Sequence, residues 1–190
     1  MHPRSRILIA IASALMISAY FLPLWQIILE APQYPEGLGM KIWLHGITGN
    51  IDQINGLNHY IGMKLIKPEE FWEFKAVPYI FAVLVLFGFI TAYFNTKKLL
   101  WIWVAMLVIF AIVGLTDFYL WEYDYGHNLD PKAAIKIEGM SYQPPLIGYK
   151  QLLNFLAGSL PDLGGIVVFI SGIVAFAVLF YEQRLAKKIS

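Results

Sequence analysis

Four long apolar runs alternate with polar segments along this chain. The runs cover residues 7–29, 77–94, 99–120 and 163–181. A helix rises about 1.5 Å per residue, so about 20 residues cross the roughly 30 Å hydrocarbon core of a bilayer. The pattern therefore predicts an all-α membrane protein, with four transmembrane helices in a single domain over residues 1–190. A cleaved signal peptide is the alternative for the first run, but its apolar core is normally only about 7–15 residues, which favours an uncleaved signal anchor.

The connections between the runs differ greatly in length. Residues 95–98 form a short polar turn, which predicts that the second and third helices are antiparallel neighbours. Residues 30–76 and 121–162 are long and polar, and an even number of spans places both on the same side. We therefore expect these two large loops to form a small cap outside the membrane.

Charge predicts which side of the membrane the cap occupies. The side with both termini and the short turn carries one acid, Glu182, and seven basic residues: Arg4, Arg6, Lys97, Lys98, Arg184, Lys187 and Lys188. The two large loops carry seven basic residues against eleven acids. Because cytoplasmic loops are enriched in Lys and Arg, we expect both termini in the cytoplasm and both loops in the periplasm of a bacterial inner membrane.

Composition narrows the possible functions. The mean hydropathy is +0.60, and a net charge of +1 provides no basic surplus for binding nucleic acid. The chain has no cysteine, which excludes thiolate catalysis, Fe–S clusters and Cys-based zinc sites. It also has no Gly-rich phosphate loop, Ser nucleophile elbow or His-Glu-x-x-His pair. We therefore predict that the protein is not an enzyme, and that any soft-metal site uses His and Met.

A His and Met set in the outer segments is the candidate metal site. His59 and Met63 are four residues apart and would share one face of a helix. The other candidates in these segments are Met40, His45, His127 and Met140. Imidazole and thioether donors together favour copper, especially Cu(I), over zinc or magnesium. The alternative is structural: His59 hydrogen-bonds the loop backbone, and Met63 fills a groove between the loops.

Asp117 and the segment 121–131 are two further features, and the sequence allows more than one role for each. Asp117 is the one ionisable residue inside a predicted span, and such acids mark proton, ion or ligand contacts unless they reach water at the interface. The segment 121–131 combines three acids, His127 and several aromatic residues. It could supply oxygen ligands or a docking surface, or it could be an aromatic belt followed by a solvated turn.

Two pairs of stretches resemble a known family. They are APQYPEGL at 31–38 with INGLNHYIGM at 54–63, and WEYDYGHNLDP at 121–131 with GMSYQPPLIG at 139–148. They are similar to small four-span membrane proteins of Gram-negative bacteria, often encoded beside the copper chaperone and ABC-transporter components that mature nitrous oxide reductase. The resemblance assigns no activity or ligand, but it implies a context of periplasmic copper delivery with such partners. A copper-handling accessory protein is thus the first hypothesis, and a scaffold subunit without a ligand is the second.

Overall fold

The computed structural model describes residues 1–135, 137 and 139–189. Lys136 and Glu138, which are among the loop charges counted above, lie outside this range. The helices are α1 (Pro3–Met16), α2 (Ile51–Ile61), α3 (Glu73–Phe94), α4 (Lys97–His127) and α5 (Leu163–Ile189). The strands are β1 (Trp25–Ala31), β2 (Tyr34–Trp43), β3 (Gly46–Gly49), β4 (Gly148–Leu152) and β5 (Phe155–Pro161). Short 3₁₀ turns cover Ile17–Tyr20 and Pro68–Glu70.

The prediction of an all-α fold with four transmembrane helices is wrong, and the first apolar run shows why. α1 ends at Met16 and a 3₁₀ turn follows, but β1 begins at Trp25. Pro23 stands between them; it lacks a backbone N–H and disfavours helical geometry in the residue before it. Within β1, buried and less buried side chains alternate with the two-residue period of a strand. Ile28 lies on the less buried side, so both faces of β1 carry apolar residues. In the sequence β1 therefore continues the apolar run that begins at residue 7, and the whole run looks like one long helix.

The segments predicted as two outer loops instead supply most of a five-stranded antiparallel sheet. The strand order is β3-β2-β1-β5-β4, so β1 is the central strand. Trp25 of β1 pairs with Ile42 of β2 on one side and with Pro161 of β5 on the other. The pairing of β1 with β5 therefore joins the first half of the chain to the second in one sheet.

Three predicted spans correspond to helices that are long and apolar enough to cross a membrane. They are α3 with 22 residues, α4 with 31 residues and the Leu163–Leu185 part of α5 with 23 residues. Only 17–33% of the most apolar stretch of each helix is buried inside the protein. Most of their apolar side chains thus point outward, which indicates association with a membrane. α1 is shorter, with 14 residues and a length of about 21 Å.

The helices pack around a shared apolar core. α1 contacts both α3 and α5, and it contributes Ile9, Ala12 and Met16 to this core. Gly88 of α3 is a point of close approach, since a Cβ atom there would lie 2.7 Å from the side chain of Trp103. The helices therefore approach closely where a side chain is absent, as small residues permit in membrane helices.

The chain ends meet the α3–α4 turn at one end of the helical bundle. Glu182 of α5 accepts a 2.6 Å hydrogen bond from the hydroxyl of Ser5. Asn95, in the turn between α3 and α4, donates a 3.0 Å hydrogen bond to the carbonyl of Met1. The sheet lies at the other end of the bundle, because β5 leads directly into α5.

α4 extends beyond the bundle and reaches the sheet. Its 31 residues measure about 46 Å, which exceeds the roughly 30 Å hydrocarbon core. Near its end Phe118 packs edge-on against Trp25 of β1, and Asp124 forms an ion pair with the exposed Lys64. The last two turns of α4, from Trp121 onward, therefore belong to the sheet layer rather than to the apolar stretch that is long enough to cross a membrane.

Candidate functional site

α2 places His59 and Met63 at the edge of the sheet layer. The helix ends at Ile61, and Gly62 follows in the left-handed conformation with a φ of 80°. This conformation favours glycine and reverses the chain. The N–H of Met63 then donates a 2.9 Å hydrogen bond to the carbonyl of Asn58. Met63 thus lies outside the helix, but the turn returns it to the side of the helix that carries His59.

His59 and Met63 line the same groove, which has a volume of about 410 Å³. One wall is the end of α2 with the residues that follow it, and the other wall is 128–131 after α4. The two walls are joined by a 2.8 Å hydrogen bond from the N–H of Asp130 to the carbonyl of Gly62. The groove is therefore lined by an imidazole, a thioether and Asp130, whose Oδ1 accepts a 2.8 Å hydrogen bond from the N–H of Lys132.

His127 is held outside this groove, at the end of α4. Its ring stacks on Tyr123 with centroids 4.0 Å apart, and its Nδ1 lies 3.0 Å from the carbonyl oxygen of Tyr123. A carbonyl only accepts, so this contact places the proton on Nδ1. His127 is adjacent to the groove wall in sequence, but it does not line the groove with His59.

The remaining predicted ligands lie in other parts of the structure. His45 is exposed in the turn between β2 and β3, 6.0 Å from the ring of Trp43. The adjacent Leu44 belongs to the apolar core of the helical bundle, so His45 lies at the bundle end of the sheet. Met140 is half-buried in the segment before β4 and lines neither the groove nor the cavity described below. Within the described residues, no group of three His, Asp or Glu side chains is close enough to hold a metal ion.

A small apolar cavity of about 50 Å³ lies behind the groove, between the sheet, α2 and α4. Met63 lines this cavity as well as the groove. Met40, which is fully buried on β2, lines it from the sheet side. The aromatic part of the wall consists of Trp121, Tyr125, Tyr142 and Phe155.

Glu122 is a buried acid that sequence reasoning missed. It is fully inaccessible on α4, and neither of its carboxyl oxygens has a hydrogen-bond partner within the described part of the chain. Burial raises the pKa of Glu122 to about 8, and the neighbouring hydroxyl of Ser159 only partly offsets this effect. That hydroxyl already accepts from the indole N–H of Trp25 and donates to Leu146. Glu122 is therefore mainly protonated at neutral pH.

The sequence does contain one signal for the burial of Glu122. If the helical period of the third apolar run is continued to His127, Phe118, Glu122 and Gly126 lie four residues apart on one face. Gly126 packs against the backbone of Gln143, and its carbonyl accepts a 2.9 Å hydrogen bond from the N–H of Tyr142. This face is therefore covered by the segment that precedes β4. Asp117, in contrast, is exposed on α4.

Comparison with known proteins does not assign the site. No protein-family model matches the chain, and no curated protein matches it significantly. The resemblance to copper-associated membrane proteins therefore stays a prediction.

Proposed function

We propose that this protein is a membrane-anchored accessory protein, without enzymatic activity, that binds Cu(I) on the periplasmic side of a bacterial inner membrane. The observation that carries the proposal is that His59 and Met63 line one groove. An imidazole nitrogen and a thioether sulfur form a donor pair that selects copper over magnesium or calcium. The chain has no cysteine that would compete for a soft metal.

The ligand set is smaller in this proposal than in the prediction from sequence. His59 and Met63 supply the soft donors, and Asp130 in the opposite wall adds a negative charge near a bound cation. His45 is at the bundle end of the sheet, and His127 and Met140 do not line the groove. A site with two protein donors leaves coordination positions open, which suits an ion that is passed to another protein.

The proposed orientation rests on charge and on the position of the chain ends. Both ends and the α3–α4 turn meet at one end of the bundle, and the seven basic residues named above cluster near these points in the sequence. By the positive-inside rule this end faces the cytoplasm. The sheet and its groove then face the periplasm, where a copper chaperone or an ABC transporter would be the partner that delivers or receives the ion.

The test is the copper content of the full-length protein in detergent. The protein is loaded anaerobically with Cu(I), desalted and measured by elemental analysis, beside the double variant His59→Ala, Met63→Leu. We expect wild-type protein to retain near-stoichiometric copper and the double variant to lose the ion bound in the groove. A matched control is His45→Ala, which removes an exposed imidazole from the same sheet layer and should leave copper binding unchanged. Equal retention by wild type and the double variant would contradict the proposal.

A scaffold role is the second candidate, and one observation favours it. Apolar side chains are exposed beside the groove, including Tyr60 at 58% and Leu65 at 45% exposure. Exposed apolar clusters outside the membrane are typical of protein contacts. If the purified protein retains no copper but co-purifies with a membrane partner, and Tyr60→Ser with Leu65→Ser abolishes that association, the scaffold role replaces the copper proposal.

A further inference from the structure

Five exposed basic side chains surround the end of the bundle where α1 begins and α4 begins. They belong to three different helices: Arg4 and Arg6 on α1, Lys97 and Lys98 on α4, and Arg184 on α5. The hydrogen bond between Ser5 and Glu182 holds the first turn of α1 against α5. The hydrogen bond from Asn95 to the carbonyl of Met1 holds the start of the chain against the turn that precedes α4. Charges from distant parts of the sequence therefore lie at one end of the molecule.

These five cations lack ion-pair partners among the described side chains. The sheet layer differs, because three of its lysines are paired with Asp162, Asp124 and Glu70. The acid at the basic end is Glu182, which is buried and already accepts from the hydroxyl of Ser5 and the N–H of His2. The end of the bundle therefore carries a positive charge that an anionic partner would neutralise.

Exposed aromatic rings lie beside the same cations. Their exposed fractions run from 45% to 72%, and they are Tyr93 and Phe94 at the end of α3, Trp101 on α4 and Tyr181 on α5. The guanidinium of Arg184 lies 4.4 Å from the ring centroid of Phe180, so its stem follows the apolar surface of α5. Aromatic rings next to snorkelling cations are typical of the level of the lipid headgroups.

We propose that this end of the bundle is a binding surface for anionic phospholipids, whose phosphates neutralise the five cations and whose acyl chains cover the adjacent aromatic rings. The partner is identified by its charge: a phosphatidylglycerol headgroup is negative, whereas a phosphatidylcholine headgroup is neutral overall. Lipid bound here would connect α1 with α4 and α5 and stabilise the closed end of the bundle. The inference goes beyond the proposed copper function and needs neither copper nor a particular orientation in the membrane.

The spacing of aromatic residues along α4 supports this depth for the cations. Trp101 and Tyr119 are both exposed and lie about 27 Å apart along the helix. This length is close to the roughly 30 Å hydrocarbon core, so the two rings match its two boundaries. Lys97 and Lys98 lie about one helical turn before Trp101, roughly 5 Å further out. This position falls within the headgroup layer, which is about 5–7 Å thick on each side.

The experiment measures lipid selectivity of the full-length protein in a neutral detergent. Thermal unfolding is followed as phosphatidylglycerol or phosphatidylcholine is added, and native mass spectrometry counts the lipids that stay bound. The variant Arg6→Gln, Lys98→Gln removes two of the five cations. The matched control Lys75→Gln, Lys132→Gln removes two exposed cations from the sheet end of the molecule. Unfolding without lipid checks that each variant retains the fold.

We expect phosphatidylglycerol to raise the melting temperature of wild type and of the control variant, and phosphatidylcholine to have a much smaller effect. Each Lys or Arg near an anionic surface strengthens binding by about fivefold, so each single substitution should weaken phosphatidylglycerol binding by this factor and the pair by about 25-fold. The preference of wild type should shrink at 1 M NaCl, because the Debye length falls from about 10 Å at 0.1 M to about 3 Å. Inorganic phosphate should give no comparable stabilisation, since it has no acyl chains to cover the rings.

Three results would overturn the proposal. The first is equal stabilisation of wild type by phosphatidylglycerol and phosphatidylcholine. The second is a wild-type preference in Arg6→Gln, Lys98→Gln that is lost in the control variant, which would place the anionic lipid at the sheet end. The third is full stabilisation by inorganic phosphate, which would mean that the surface binds a free anion. Copper takes no part in these measurements, so their result is independent of the test of the groove.

Discussion

The hydroxyl of Ser5 donates a 2.6 Å hydrogen bond to the carboxylate of Glu182, which lies 177 residues further along the chain. Both residues are buried, at 1% and 2% exposure, and the backbone N–H of His2 donates to the same carboxyl oxygen. This contact attaches the start of α1 to the end of α5. It therefore closes the end of the bundle that lies opposite the sheet.

We expect Ser5→Ala to destabilise the protein, because it leaves the buried Glu182 with one donor fewer. Hydrogen bonds to charged groups contribute about 1.5–3 kcal/mol, so the loss should be of this size. The measurement is thermal unfolding in detergent. Ser18→Ala is the control, because the Ser18 hydroxyl bonds only to the carbonyl of Leu15 three residues earlier. Equal effects of the two substitutions would show that the contact with Glu182 contributes nothing.

The close approach at Gly88 gives a second prediction. In Gly88→Ala the new methyl group would overlap the side chains of Ser13 and Trp103, so α1 and α4 would have to move away from α3. Overpacking of this kind costs about 1–3 kcal/mol. Gly172→Ala is the matched control in another apolar helix, since a Cβ atom there meets nothing within 4 Å. We expect a lower melting temperature for Gly88→Ala and an unchanged or higher one for Gly172→Ala.

The three long apolar helices α3, α4 and α5 were predictable from the sequence for a simple physical reason. Lipid requires about 20 apolar residues per crossing, and the runs at 77–94, 99–120 and 163–181 satisfy this requirement within themselves. β1 does not follow from such a rule. Its residues 25–29 extend an apolar run, and the choice of strand depends on partners in β2 and β5 that lie far away in the sequence.

Only the part of the candidate site that is formed by residues close together in the sequence was predictable. His59 and Met63 are four residues apart, so their proximity could be expected even though the helix between them ends at Ile61. Met40 reaches the apolar cavity behind the groove through the pairing of β2 with β1. Tyr142 reaches it through the hydrogen bond from its backbone N–H to the carbonyl of Gly126. Contacts between segments this distant leave no periodic pattern in the sequence. The cavity could therefore not be predicted.

Membrane orientation can be tested because the chain has no cysteine. We expect a single cysteine at Lys132, in the sheet layer after α4, to react with a membrane-impermeant maleimide in intact spheroplasts. A cysteine at Lys98, in the first turn of α4, should react only after the membrane is permeabilised. Both positions are exposed, so a difference in labelling reports the side of the membrane. Labelling of Lys98→Cys in intact spheroplasts, with Lys132→Cys protected, would reverse the proposed orientation.

The buried carboxyl of Glu122 should make the stability of the protein depend on pH. Its pKa of about 8 in the folded protein lies above the ordinary carboxyl value of 4.5, so the folded state holds this proton more tightly than the unfolded state. The stabilisation is fully present below about pH 4.5 and is lost as the pH rises through about 8. Since one pKa unit corresponds to about 1.4 kcal/mol, the melting temperature should fall over this range by an amount on the order of 10 °C.

Glu122→Gln separates this contribution from all other titrations in the protein. Glutamine has the same shape and no charge, so the variant should lose most of the fall between pH 5 and 8 and should exceed wild type in melting temperature near pH 8. Glu36→Gln, at an exposed position on β2, is the control and should follow the wild-type curve. Parallel curves for wild type and Glu122→Gln would mean that the Glu122 carboxyl is solvated or paired in the folded protein, which its complete burial argues against.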